Sequence, residues 1–113
     1  MKVVYICSPF SADPVENVER AKRYCKQVTL QVPNVVPFSP LLMFPFFLDE
    51  ATQRELALNM GVEMLNRCDE LWVFSHNGQI SDGMAMEIQL AKEAGKKVKF
   101  ISQFGEAALR PFC

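Results

Sequence analysis

Residues 69–101 read DELWVFSHNGQISDGMAMEIQLAKEAGKKVKFI, and this stretch decides the fold class. The apolar run at 71–74 predicts a buried strand, and residues 82–94 carry apolar side chains at helical spacing before Gly95, a residue typical of helix ends. Residues 97–101 predict another strand. Two strands joined by a helix of more than ten residues form a βαβ unit, in which the strands are parallel and the crossover is right-handed.

The rest of the chain repeats this order. A β-rich run at 2–6 is followed by an amphipathic helix from Pro14 to about Leu30, a short strand at 35–36 and a helical pattern from about Asp49 to Cys68. We therefore predict a single domain over residues 1–113, with a three-layer flavodoxin-like or Rossmann-like α/β fold and a parallel sheet of about four strands.

The segment at 37–48 fits no regular element, because it carries several prolines among four phenylalanines. Two interpretations remain open for these aromatic side chains. They form a lid that stacks on a planar ligand, or they cover an exposed sheet edge in a subunit contact, which we slightly favour because four short strands make a thin domain.

Composition excludes several classes of function. The chain is 50% hydrophobic and 22% charged with a net charge of −1, which argues against disorder and favours neither a nucleic-acid nor a membrane-surface partner. Without a signal-like or membrane-length apolar segment we expect a cytoplasmic protein. Four cysteines without a C-x-x-C pair and the lone His76 predict reduced thiols and no metal site.

One carboxylate lies where the helical pattern expects an apolar residue. On the predicted helix at 82–94, Glu87 falls between Leu90 and Ala91 on the apolar arc. A carboxylate there is either an internal partner of an arginine, with Arg54, Arg67 and Arg23 as candidates, or a functional group near the helix start, where free N–H groups bind anions.

Parallel sheets bind ligands beyond the carboxyl ends of their strands. Two loops leave those ends: the first carries Ser8 and Ser11, and the second carries His76 and leads to Ser81, Asp82, Gly83 and Met84. These residues are candidates for substrate or phosphate binding. Asp69, at the opposite end, is interpreted as a turn residue, and Cys7 as a buried small hydrophobic residue.

Three segments carry a family resemblance: VYICS at 4–8, LNRCDELWV at 65–73 and SDGMAMEI at 81–88. Together they resemble the nucleoside 2-deoxyribosyltransferase-like superfamily, which includes the deoxynucleoside-monophosphate N-glycosidases. The resemblance spans roughly residues 2–101. It is greatest to small superfamily proteins, common in phages and mobile elements, that have no settled function.

The resemblance implies roles for individual residues. Glu87 matches the nucleophile that attacks the anomeric carbon, and Tyr5 matches a tyrosine near the reacting sugar. Ser81 and the amides from Gly83 onward match a 5′-phosphate site. The sequence departs from the family at Gly61, where related enzymes carry an aspartate, and at Ser11, where the glycosidases carry an arginine.

Two functional hypotheses follow. The first is an enzyme that cleaves or transfers at the N-glycosidic bond of a (deoxy)nucleoside or its 5′-monophosphate, with no metal or organic cofactor. The second is a module that binds a nucleotide in the same crevice without turnover. The resemblance also implies a homo-oligomer, a dimer or larger, and a small-molecule partner rather than nucleic acid or a membrane.

Overall fold

Strands and helices alternate along the chain as the sequence predicts. The computed structural model describes residues 1–10, 13–75 and 78–101. Within these ranges four strands and three α-helices are separated by loops, and two short 3-10 turns, Pro40–Leu42 and Phe44–Phe46, follow the second strand. In chain order the main elements are β1 Lys2–Cys7, α1 Pro14–Gln31, β2 Val35–Phe38, α2 Arg54–Arg67, β3 Glu70–Phe74, α3 Asp82–Glu93 and β4 Lys97–Ile101.

The four strands form one parallel sheet in the order β2-β1-β3-β4. The chain moves outward from β1 to β2 and then crosses back over β1 to place β3 on its other side. The strand order therefore reverses between β1 and β3, and this is where open α/β sheets form a ligand crevice beyond the carboxyl ends of their strands. The predicted flavodoxin-like fold with four parallel strands is confirmed.

Successive side chains of a strand point to opposite sides of the sheet. Because helices cover both sides, each face of the sheet packs into a buried core. Val4 and Ile6 join Trp72 and Phe74 in a core under α1, where Tyr24 stacks on Phe74 with ring centroids 4.6 Å apart. The opposite core lies under α2 and α3. Its buried members are Tyr5, Cys7, Leu65, Cys68, Leu71, Val73, Met84, Ile88 and Ala91.

Capping residues fix the helix ends. The side chain of Asp13 accepts a hydrogen bond from the backbone N–H of Glu16 at the start of α1, and that of Ser81 accepts one from Met84 at the start of α3. Past the end of α3, Gly95 has a φ of +74°, a conformation that glycine adopts without steric cost.

Two boundaries differ from the sequence prediction by more than one residue. The helix predicted from about Asp49 begins at Arg54, because the Asp49 carboxylate accepts a hydrogen bond from the N–H of Ala51 and holds residues 49–53 in a turn. The short second strand runs on to Phe38 and includes Pro37, which an edge strand tolerates since one of its sides needs no ladder hydrogen bond.

The aromatic segment faces two ways. Phe44 is buried and packs edge-on against Phe38, whose ring centroid lies 5.7 Å from that of Tyr5. Phe46 and Phe47 are exposed. The inner rings thus form a wall beside Tyr5, and both interpretations of the outer rings, as a lid or as a subunit contact, remain predictions.

Candidate active site

A cavity of about 590 Å³ opens at the carboxyl edge of the sheet. Strand β1 and the loop after it form its floor, the first turns of α3 form one wall, and α2 with the aromatic segment forms the other. Among the residues proposed from the sequence, those that line this cavity are Tyr5, Ser8, Ser81, Asp82, Gly83, Met84 and Glu87. Residues from three distant parts of the chain therefore meet around one hollow.

Glu87 lies on the cavity wall in the second turn of α3 and is partly buried. The phenolic hydroxyl of Tyr5 donates a hydrogen bond to its Oε2 atom. Tyr5 is buried at the centre of the sheet, and its ring is fixed between Phe38 and the core under α3. The tyrosine therefore holds one carboxylate oxygen in a defined position.

The environment of Glu87 disfavours its charge. Burial raises the pKa of this carboxyl above its usual value, and hydrogen bonds from Tyr5 and Cys7 offset only part of that increase. Burial, together with the nearby Glu87 charge, also raises the pKa of the Tyr5 hydroxyl and of the Cys7 thiol. Tyr5 and Cys7 therefore stay protonated at neutral pH, and the Tyr5 hydroxyl acts as a neutral donor toward Glu87.

The interpretation of Glu87 as an internal partner of an arginine is wrong for the three candidates named above. Each of those arginines pairs with a carboxylate on or just before its own helix: Arg54 with Glu50 at 2.7 Å, Arg67 with Glu63 at 2.9 Å and Arg23 with Glu16 at 3.7 Å. Across the described residues, no ion pair reaches Glu87. The hydrogen bond from Tyr5 takes the place that an arginine would have filled.

The start of α3 forms the polar side of the cavity. The Ser81 hydroxyl already accepts a hydrogen bond, at 3.2 Å, from the N–H of Met84, so that oxygen serves as a helix cap. Gly83 leaves open space where a Cβ would stand, since no other group lies within 4 Å of that position. A ligand can therefore approach the backbone of the first turn closely.

Ser8 follows the last residue of β1 and also lines the cavity, yet its Oγ atom is buried and finds no hydrogen-bond partner within the described part of the chain. The adjacent Cys7 thiol lies 3.8 Å from the carbonyl oxygen of Met84, which brings this end of β1 against the first turn of α3. Ser11 and His76, which the sequence also proposed as binding residues, lie outside the residues that the structure describes.

Sequence reasoning missed most of the wall opposite α3. Phe44 closes the cavity beside Tyr5, while Asp49, Glu50 and Arg54 contribute charged groups around the start of α2. The only signal for them was the proline-broken aromatic segment, which indicates an irregular loop but not the direction of its side chains.

Gly61 lies at the cavity wall on α2. A Cβ atom at this position would stand 3.6 Å from the Tyr5 hydroxyl oxygen and 3.9 Å from Phe44, both ordinary van der Waals distances. The position at which the sequence resemblance implies an aspartate is therefore next to the Tyr5–Glu87 pair, and the glycine leaves free space there.

A second carboxylate cluster occupies the opposite end of the sheet. Glu70 is buried and accepts hydrogen bonds from the Trp72 indole at 2.9 Å and from the Lys2 ammonium at 2.6 Å. Its neighbour Asp69, which lies between α2 and β3, accepts one from the N–H of Val3 at 2.8 Å. This end faces away from the cavity.

Neither a metal cluster nor a membrane-spanning helix is found in the described part of the chain. Within residues 1–10, 13–75 and 78–101, no three histidine, cysteine, aspartate or glutamate side chains are grouped so that they could hold a metal ion. No helix in those ranges combines the length and the apolar character that crossing a membrane requires.

Comparison with known proteins places the fold in a structural group. A solved structure of a 2-deoxyribosyltransferase from the psychrotolerant bacterium Bacillus psychrosaccharolyticus is similar, with a TM-score of 0.59 and 22% sequence identity over 92% of this chain and 74% of that one. At this identity the likeness establishes the fold alone. No curated protein matches the chain by sequence. Residues 2–101 match the model of one family along their whole length, and the chain therefore belongs to the family described as a domain of unknown function, DUF7768.

Proposed function

We propose that this protein cleaves or transfers the N-glycosidic bond of a nucleoside, with Glu87 as the nucleophile. The observation that carries the proposal is the position of the Glu87 carboxylate, on the wall of a ligand-sized cavity and held by a neutral tyrosine rather than by an arginine. An internal ion pair would neutralise this group, whereas a hydrogen bond to one of its oxygens leaves it able to react.

The proposed reaction has two steps. Oε1 of the ionised carboxylate attacks the anomeric carbon while the bond to the base breaks, and its electron pair leaves with the base nitrogen, which takes up a proton from water. The result is a glycosyl ester on Glu87. Water or the nitrogen of a second base then attacks the same carbon and gives up its proton to the solvent, the ester bond breaks with its electron pair returning to Oε1, and the carboxylate is regenerated.

Tyr5 has a positioning and electrostatic role in this scheme. Its hydroxyl donates to Oε2, so the carboxylate is oriented with Oε1 as the attacking atom. The same hydrogen bond stabilises the ionised form of Glu87 against the effect of burial. Since the raised pKa of Glu87 limits the ionised fraction at low pH, we expect activity to rise with pH on the acidic side.

Electrostatics favour an uncharged nucleoside over a 5′-monophosphate. The described residues that line the cavity include four carboxylates, those of Asp49, Glu50, Asp82 and Glu87, and a single cation, Arg54, which pairs with Glu50. Asp82 occupies the first turn of α3, where its charge already interacts with the helix dipole. A phosphate dianion would meet a surplus of negative charge in this cavity.

The test is release of free base. Purified protein is incubated with a panel of ribo- and deoxyribonucleosides and their 5′-monophosphates, with and without a second base as acceptor, and products are followed by chromatography. We expect turnover of a nucleoside in preference to its monophosphate, and a loss of roughly 10³-fold or more in Glu87→Gln.

The matched control is Glu93→Gln, on the same helix, where the native carboxylate is exposed and bonded to Gln89. It should retain full activity. Tight binding of a nucleoside without base release would support the binding module instead, and equal activity of wild type and Glu87→Gln would contradict the proposed nucleophile.

A further inference from the structure

The side-chain oxygen of Ser8 lies in the cavity region and is unsatisfied in the free protein. Among the described residues its buried Oγ has no hydrogen-bond partner, although the residue as a whole is partly exposed and lines the cavity. Leaving a buried hydroxyl unpaired costs free energy, so such groups are rare and call for an explanation.

The position of Ser8 relates it to Glu87. It directly follows Cys7, whose thiol contacts the first turn of α3 at the Met84 carbonyl oxygen, and Tyr5 lies two residues before Cys7 on the same strand. Ser8 therefore lies at the polar end of the cavity, where the proposed reaction places the sugar.

The chemistry of the Ser8 hydroxyl limits the kinds of ligand group that it can bind. A serine hydroxyl donates and accepts hydrogen bonds but carries no charge, and the cavity already holds a surplus of carboxylates. Its best complement is a neutral group that also donates and accepts, and a hydroxyl of a furanose ring is such a group.

We propose that Ser8 binds a sugar hydroxyl of the substrate. No internal hydrogen bond opposes rotation about its Cα–Cβ bond, so a move between staggered rotamers turns the oxygen from its buried position to the ligand. Ser8 is then a specificity-determining residue that selects hydroxylated sugars. This inference rests on the proposed function for the identity of the ligand, but it concerns binding rather than bond cleavage.

Ser39 provides a matched control. It too has a buried Oγ without a partner, but it lies at the end of β2 and does not line the cavity. The Ser8→Ala and Ser39→Ala variants each remove an unsatisfied hydroxyl, so neither should melt below wild type. Only the first is expected to alter ligand binding.

The test combines variants with substrate analogues. Dissociation constants are measured by calorimetric titration for 2′-deoxyadenosine, 2′,3′-dideoxyadenosine and 2′,5′-dideoxyadenosine, and for the corresponding cytidine series. We expect wild type and Ser39→Ala to bind one of the two dideoxy analogues about 3- to 10-fold more weakly than the parent nucleoside, the effect of one hydrogen bond. Ser8→Ala should bind the parent more weakly by the same factor and no longer discriminate that analogue.

Three results would overturn the inference: no nucleoside binding by wild type, unchanged affinity of Ser8→Ala for the parent, or discrimination by Ser8→Ala of the same analogue that wild type discriminates. If Ser8→Ala does not fold, the analogue series on wild type alone decides the matter, with adenosine added to it, because equal affinities for all four ligands exclude a contact with any hydroxyl of the sugar. Base release is assayed separately. The expected binding pattern without release would contradict the proposed enzyme and leave Ser8 assigned, whereas release without that pattern would contradict only the role of Ser8.

Discussion

Two glutamates, one at each end of the sheet, are withdrawn from water with different partners. Burial alone would raise the pKa of Glu70, but hydrogen bonds from Lys2 and Trp72 lower it below the usual value. At Glu87 burial dominates, and the hydrogen bonds from Tyr5 and Cys7 leave the pKa raised. A cation fixes Glu70 in its ionised form, while neutral donors leave the charge of Glu87 dependent on pH and on what occupies the cavity.

This difference separates a structural carboxylate from a reactive one. Through its bond to Lys2, Glu70 joins the start of β1 to β3, and it lies away from the cavity. Its charge therefore stabilises the fold and is not available to a ligand. Glu87 is partly buried and forms no ion pair with any described residue, so its ionised form is poorly compensated in the absence of ligand. Strained or poorly compensated groups of this kind are concentrated at functional sites.

Removing the Tyr5 hydroxyl, the neutral donor to Glu87, is expected to have the largest effect on the difference between the two glutamates. Tyr5→Phe deletes the hydrogen bond to Glu87 and so raises the pKa of that carboxyl further, because the bond favours its ionised form. We expect a loss of roughly 10- to 100-fold in kcat/KM at neutral pH, the scale of a hydrogen bond to a charged group. The acidic limb of the pH–rate profile should move to higher pH.

Lys2→Met supplies the control at the other end of the sheet, because it removes the nearer of the two lysines that pair with Glu70, leaving Lys99 at 3.9 Å. Its pH–rate profile is expected to match that of wild type. If the acidic limb of the pH–rate profile of Tyr5→Phe coincides with that of wild type, the Tyr5 hydroxyl does not influence the pKa of Glu87.

The two glutamates should affect stability with opposite pH dependence. The folded-state pKa of Glu87 lies above its unfolded value, so between these two pKa values the folded protein holds more protons than the unfolded chain. The free energy of unfolding therefore falls as pH rises through this range. For Glu70 the folded value is the lower one, so its contribution is present above the unfolded pKa and is lost as pH falls through the folded pKa.

Substitution by glutamine isolates each contribution. Glu87→Gln should be more stable than wild type at neutral pH and lose that advantage in acid. Glu70→Gln should be less stable at neutral pH by roughly 1 kcal/mol, the difference between a charged and a neutral hydrogen bond. Urea unfolding at a series of pH values measures the change in the free energy of unfolding for each variant. If both variants change it in the same direction at neutral pH, the environments of the two glutamates do not differ as described.

Sequence periodicity located the carboxylate of Glu87 but did not reveal the hydrogen-bond partners of Glu70. Glu87 breaks the apolar arc of a well-formed helix, so the pattern itself reveals it. The partners of Glu70 were invisible, since Lys2 is 68 residues away and pairs with it only because β1 and β3 are adjacent. Register between strands is a tertiary property that no local pattern contains.

The same limit applies to the cavity. The strands, the helices and the residues on the α3 side follow from local patterns, turn residues and the resemblance, and Tyr5 came from the resemblance alone. The opposite wall depends on how two 3-10 turns direct Phe44 toward Tyr5. Prolines predict that this segment is irregular, but the direction of its side chains is decided by packing against the finished sheet.

The smallest expected effect concerns the free space beside the Tyr5–Glu87 pair. Gly61→Ala places a methyl group at ordinary contact distance from the Tyr5 hydroxyl and Phe44, so the fold accepts it without repulsion. Alanine is favoured over glycine within a helix by roughly 0.5–1 kcal/mol, and the free energy of unfolding measured in urea should rise by that amount. Asn59→Ala, at an exposed position of α2, controls for helix propensity and should leave KM unchanged. If the ligand uses the space that Gly61 leaves, Gly61→Ala gains stability and shows a higher KM, whereas a gain in stability with unaltered KM would place the sugar and base elsewhere in the cavity.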